Sequence, residues 1–284
     1  SAINKGKIHT TLSNNPTWPH DWSAFVGIYT PLTDANFLDA VNLWFDNELE
    51  AHATYGHIRD WNVSAVTNML DGFKYRTNFN EDLSDWDVSS VTNFQGLFYG
   101  SAFNHPIRDW NVSLVTDMSN AFMNRSTFNE DIGNWNMQSV TDLRMAFYGA
   151  TAFNQDIGDW DLSSALYLRA MFNQATSFNH DLDGWALSQD ANMTGGMFFN
   201  ANNLSAINKG KIHTTLSNNP TWPHDWSAFI ADPNTSLPGD QNATMDGNYS
   251  GPGDGYGDPN DGLLGMDGNQ SDLGGEHDGP DGNY

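Results

Sequence analysis

The sequence has no cysteine in 284 residues. That excludes a disulfide framework, a cysteine-ligated zinc site and a cysteine nucleophile. It is also poor in positive charge: 11 Lys and Arg stand against 35 Asp and Glu, a formal net charge of −24. Phosphate neutralisation needs clustered basic side chains, so nucleic acid is excluded as an electrostatically held partner. The same repulsion disfavours an anionic membrane surface. No apolar run approaches the roughly 20 residues that cross a bilayer, so no membrane insertion is expected. No phosphate loop, HExxH motif or Ser/His/Asp order occurs, so neither catalysis nor a resident cofactor is expected. The chain opens on Ser1 with no signal-peptide pattern, which reads as a mature or internal fragment.

What the chain does have is a clock. Trp recurs at 61, 86, 110, 135, 160 and 185, at spacings of 24 or 25 residues. Two Phe columns keep the same period: 79, 103, 128, 153 and 178, and 73, 98, 122, 147, 172 and 198. An aliphatic column runs Ile58, Leu83, Ile107, Ile132, Ile157 and Leu182. Six units fit between residues 53 and 203, with one inserted residue near 186–195. One such unit cannot bury its apolar face alone, so neighbours must stack into a continuous core. Segments such as Val91-Thr92-Asn93-Phe94 alternate apolar and polar side chains, which predicts a strand. Repeated in phase, they predict a parallel ladder, followed in each unit by a short helical turn.

Polar columns follow the same period. Asn80, Asn104, Asn129, Asn154 and Asn179 each follow a Phe, and Asp82, Asp131, Asp156 and Asp181 lie two residues on. The Asn read as turn-satisfying side chains and the Asp as a solvated edge, with calcium chelation by the stacked Asp and Asn as the alternative. The Trp column reads as a buried ladder rather than a sugar-stacking platform.

FNQDIGDWDLSS (153–164) and DWDVSSVTNFQGLFYGSAFN (85–104) resemble the repeat of BspA-like leucine-rich-repeat surface proteins, over about residues 30–229. The resemblance implies an α/β, leucine-rich-repeat-like solenoid and a cell-surface or extracellular protein linked to adhesion, with no catalytic residues. Helical caps are expected at both ends: residues 30–52, with a helix from about Asp34 to Glu50 capped by Thr33 or Asp34, and residues 204–231, with a helix from Ser205 to Leu216. Phe37, Val41, Leu43, Trp44 and Leu49 are the expected apolar face of the first helix.

Residues 1–25 are identical to residues 205–229. A C-terminal cap with no repeats before it makes sense in a chain built from tandem modules of 204 residues. Residues 1–29 then read as the end of a preceding module. Ile3, Ile8, Leu12, Trp18, Trp22 and Phe25 are an apolar set that needs a partner surface, and another copy of the chain, joined head to tail, supplies one. Residues 232–284 hold ten Asp, one Glu and no Lys or Arg, and read as an acidic, irregular tail or linker. Within it, Asp267, Asn269, Ser271 and Asp278 are a weak candidate for Ca2+, because Asp272 stands where an EF-hand needs Gly. Nine N-x-S/T triplets allow glycosylation of a secreted protein. The expected function is an extracellular structural module assembling into a fibre or layer. The alternative is an adhesin binding glycan or a surface protein through the repeat face.

Overall fold

The computed structural model describes residues 29–231. Two helices, α1 (Phe37–Asp46) and α2 (Glu48–Tyr55), and a 3-10 turn (Ile58–Asp60) precede the repeats. Helices α3 (Ala206–Leu216) and α4 (Ala228–Ala231) follow them.

The periodic aromatics form the core. All six repeat Trp are buried, none more than 4% exposed. From the second unit on, each indole N–H donates to a carbonyl of the preceding unit: Trp86 to Ile58 O (2.9 Å), Trp110 to Leu83 O (3.1 Å), Trp135 to Ile107 O (3.1 Å), Trp160 to Ile132 O (3.1 Å) and Trp185 to Ile157 O (2.9 Å). Trp61, with no preceding unit, donates to Gly56 O at 3.1 Å. The column therefore fills the interior and also pins each unit to the one before it. A buried indole needs a partner for its single N–H, and a carbonyl of the adjacent coil is the nearest one on offer. The Phe rings stack beside it. Phe73, Phe98, Phe122, Phe147, Phe172 and Phe198 form a run with centroids 5.4–5.9 Å apart.

The expected α/β class with a parallel strand ladder is not what forms. Among the described residues there is no strand; neighbouring repeats share single parallel bridges, Asn68–Asn93, Asn93–Asp117, Asp117–Asp142, Asp142–Tyr167 and Tyr167–Asn192. The backbone shows why. In each unit a stretch of seven residues sends alternate N–H groups in two directions. Met69, Asp71, Phe73 and Tyr75 donate to the next unit, at Asn93, Gln95, Leu97 and Tyr99, while Gly72, Lys74 and Arg76 donate three residues back. Met118, Asn120, Phe122 and Asn124 repeat the pattern onto Asp142, Arg144, Ala146 and Tyr148. The local turns need left-handed residues, and each unit has them in two columns. Asp71, Asn120, Met145 and Ala170, with Gly96 and Gly195, form one; Tyr75, Asn124, Gln174 and Asn200, with Gly100 and Gly149, form the other. The first positive φ falls three residues beyond the bridge residue, at Gly96 after Asn93, so the extended stretch ends after one bridge and does not grow into a strand. The short helical turns expected in each unit are replaced by this same stretch, which is all turn. At Gly96 a Cβ would also meet the Asp71 carboxylate, which would have to move aside.

The inserted residue sits where the pattern falters. Leu168 donates to Asn192, 24 residues on, but Phe172 donates to Met197, 25 residues on. Gly195 and Gly196, both at positive φ, absorb the difference.

The single helix expected over Asp34–Glu50 is two. Asn47 leaves helical dihedrals (φ −153°, ψ 80°), and its side chain accepts from Glu50 N at 3.2 Å, capping α2. Asn favours that local bond over a helix interior. Phe37, Val41 and Trp44 are buried as expected, but Leu49 is 85% exposed, because the break turns it outward. Ser205 caps α3, accepting from Asn208 N at 3.1 Å.

Candidate functional site

Side chains that offer a binding edge in the sequence are consumed by the fold. The Asn column joins units: Asn104 N donates to Asn80 Oδ1 (2.7 Å), Asn154 N to Asn129 (2.8 Å), Asn179 N to Asn154 (2.8 Å) and Ser205 N to Asn179 (2.8 Å). The Asp column closes turns two residues long: Asp82 accepts from Ser84 N, Asp131 from Gly133 N and Asp156 from Gly158 N. The Ser84 hydrogen bonds hold the Asp82 carboxyl below its ordinary range. Asp181 instead accepts from Lys211 at 2.6 Å, and that bond holds it low. Among the described residues, no group of three or more His, Asp or Glu could hold a metal ion. The candidate calcium residues Asp267, Asn269, Ser271 and Asp278 lie outside the described residues, as does the assembly set Ile3, Ile8, Leu12, Trp18, Trp22 and Phe25.

One buried group has no such use. Arg125 is 1% exposed and donates only to Ser101 Oγ at 3.1 Å, leaving Nε and Nη2 without partners. Burial pushes its guanidinium down to about 10.

The informative chemistry lies at the two ends of the stack. Within it, one carbonyl accepts from two successive N–H groups and a hydroxyl of the next unit: Thr116 O takes Thr141 N (2.8 Å), Asp142 N (3.2 Å) and Thr141 Oγ1 (3.1 Å). The first unit has no predecessor. Asp34 takes the carbonyl's place: Oδ1 accepts from Thr67 N (2.6 Å) and Asn68 N (3.0 Å), and Oδ2 from Thr67 Oγ1 (2.6 Å). Asp34 is thus a cap for the repeat edge and not for α1. Partial burial acts to raise its carboxyl, and the Thr67 and Asn68 bonds outweigh it, so it lies below its ordinary range.

At the other end Thr221 and Asn219 stand in for a seventh unit. Thr221 Oγ1 donates to Ala191 O (2.7 Å) and accepts from Met193 N (3.0 Å). Asn219 is buried, and its Nδ2 donates to Ser188 O (3.0 Å) and Ala191 O (3.1 Å). Trp222, His224 and Trp226 then cover Phe198, the last ring of the Phe run, with centroids 6.3, 5.9 and 5.6 Å away. His213 Nδ1 accepts from Trp222 Nε1 (3.0 Å), and His224 Nε2 accepts from Phe198 N (3.4 Å). Ile212 and Leu216 of α3 are buried beneath this clamp, whereas Ile207 is 50% exposed.

Reading the sequence missed Asp34, Asn219, Thr221 and the two His as end caps. It also missed Arg125, which with Arg76 shares a column otherwise held by Ser101, Ala150, Ala175 and Ala201.

Fold and ends together define a repeat protein whose stacked units are closed at both sides. Two stretches, residues 44–113 and 101–210, match the family model described as "Mycoplasma protein of unknown function, DUF285". Between them they span more than half of the chain, and the chain belongs to that family. No curated protein and no solved structure matches it.

Proposed function

We propose that this chain is a structural module of an extracellular surface protein, joined end to end with like modules into a fibre or layer. One observation carries the reading. The segment that seals the last repeat, residues 205–229, occurs a second time as residues 1–25, at an offset of 204 residues. Asn15, Thr17, Trp18, His20 and Trp22 therefore reproduce the clamp residues Asn219, Thr221, Trp222, His224 and Trp226. A clamp with that chemistry is complementary to the last repeat of such a stack, and in another copy of the chain it would take that place in exchange for the identical residues 205–229. A heterologous contact of this sort propagates unless its rotation closes a ring. The resemblance of the repeats to BspA-like surface proteins supports the extracellular location. The use of the Asn, Asp and Trp columns inside the fold favours a scaffold over a ligand platform.

Electron microscopy and sedimentation of the intact chain, beside a version lacking residues 1–25, test the reading. Filaments formed by the first and lost in the second are expected. A compact monomer at high concentration, or filaments unaffected by the deletion, overturns it and favours the adhesin alternative.

A further inference from the structure

We infer that the C-terminal clamp is an acid-labile latch: protonation of His224 breaks its hydrogen bond to the last repeat and releases residues 205–230 from it.

The geometry sets the protonation state. An indole N–H and a backbone N–H can only donate, so His213 Nδ1 facing Trp222 Nε1, and His224 Nε2 facing Phe198 N, must both carry lone pairs. Protonation at either nitrogen places two donors face to face. His224 suffers more, because it is enclosed: its ring stacks on Trp226 (centroids 4.7 Å, 17°) and meets Trp222 edge-on (5.2 Å, 72°). Burial first, and the neighbouring His213 second, push the His224 imidazole down to about 4.

The surroundings offer little to hold a charge there. From α3, His213 is the titratable neighbour; Lys211 is engaged with Asp181, and Lys209 lies over the Phe229 ring at 5.3 Å. From the last repeat, residues 193–200 contain no ionisable side chain. From the preceding repeat, Arg169 packs over Gly195. Asp225, next in sequence, is committed to Ser227, accepting from its N (3.2 Å) and Oγ (2.7 Å). An imidazolium at His224 therefore meets aromatic faces, one potentially cationic neighbour and no unengaged carboxylate.

The direction follows by linkage. The neutral imidazole is favoured in the closed latch. Closure is therefore complete above the ordinary His value of 6.5, weakens as pH falls from there toward 4, and loses nothing further below 4. Each unit of depression is a tenfold change in the closing equilibrium. Where the reading under Proposed function holds, His9 and His20 repeat the pair in residues 1–25, so the joint between modules would loosen over the same range.

The test uses the full chain. Imidazole NMR titration of His224 is followed together with amide protection of residues 206–226, from pH 7.5 to 3.5. We expect His224 to titrate well below 6.5, and the protection to fall by up to roughly 300-fold over the span of the shift. A double variant, His213→Asn with His224→Gln, keeps an acceptor at each place and cannot titrate; its protection should change less than about threefold over the same range. The latch is refuted if His224 titrates at 6.5 with the cap amides unmoved, or if the double variant opens on the same schedule as the parent. Sedimentation of the same samples separates the two readings. Absence of self-association at every pH contradicts the assembly reading and leaves the latch standing.

Discussion

The two ends of the repeat stack solve one problem with different chemistry. At the first repeat a carboxylate, Asp34, imitates a carbonyl and takes the two leading N–H groups and the Thr67 hydroxyl. At the last repeat a hydroxyl and an amide, Thr221 and Asn219, complete the edge, and the His224 imidazole helps lid the core. Both ends must be closed because a parallel arrangement leaves donors and acceptors at each edge. The N-terminal end faces donors and can use an anion. The C-terminal end must accept from Met193 N and also donate to Ala191 O, so it needs groups that do both. The choice fixes how each end answers acid. Asp34 is depressed, so its contribution is full above the ordinary carboxylate value and is lost as pH falls below it. His224 costs stability earlier, on the way down from 6.5.

The largest effect should come from the interior, against which both ends are measured. Trp110→Ala removes a buried indole and its bond to Leu83 O. It should cost about 3–5 kcal/mol and lower the cooperative thermal transition. A melt unchanged by that substitution would detach the Trp column from the core. Asn219→Ala comes next. It leaves the Ser188 carbonyl without that donor and Ala191 O with Thr221 Oγ1 alone, and should cost about 2 kcal/mol, seen first as lost amide protection in the clamp. Asp34→Ala, at an exposed site, should cost about 1 kcal/mol, by analogy with lost helix caps, while Asp34→Asn recovers part of it. Equal losses in α3 and at Thr67 for either substitution would contradict independent ends.

The smallest effect sharpens the view of the middle. Asp117 and Asp142 occupy adjacent places in the bridge column, and desolvation, with Asp142 nearby, raises the Asp117 carboxyl. Asn stands in the same column at 68, 93 and 192 and closes the same turn. Asp117→Asn should therefore stabilise by about 0.5 kcal/mol at neutral pH, measured by denaturant unfolding, with the gain shrinking in acid.

How far the sequence could be read depended on which signals are local. Burial of the Trp and Phe columns follows from period and composition, because six aligned aromatics have nowhere else to go. The strand expectation at Val91-Thr92-Asn93-Phe94 reached only a single bridge per unit, because the turn stretch that begins directly after it ends the extended backbone. That turn stretch rests on a positive φ at places held by Met145, Ala170, Tyr75 and Gln174, residues that do not announce it. The break at Asn47 was legible only as an N-cap inside an apolar run, and Leu49 was misplaced with it. The end caps were illegible for a different reason. Asp34 is 33 residues from Thr67, and Asn219 is 28 from Ala191; no local pattern links such pairs.

Residue-resolved hydrogen exchange of the intact chain, at pH 7 and again at pH 5, puts the difference between the two ends to the test. At pH 7 the amides of Thr67 and Asn68 and those of Met193 and Phe198 should all be protected. At pH 5 those of Met193, Phe198 and α3 should lose protection, while those of Thr67 and Asn68 retain theirs. Simultaneous loss at both ends, or an unaltered C-terminal end, would contradict the account.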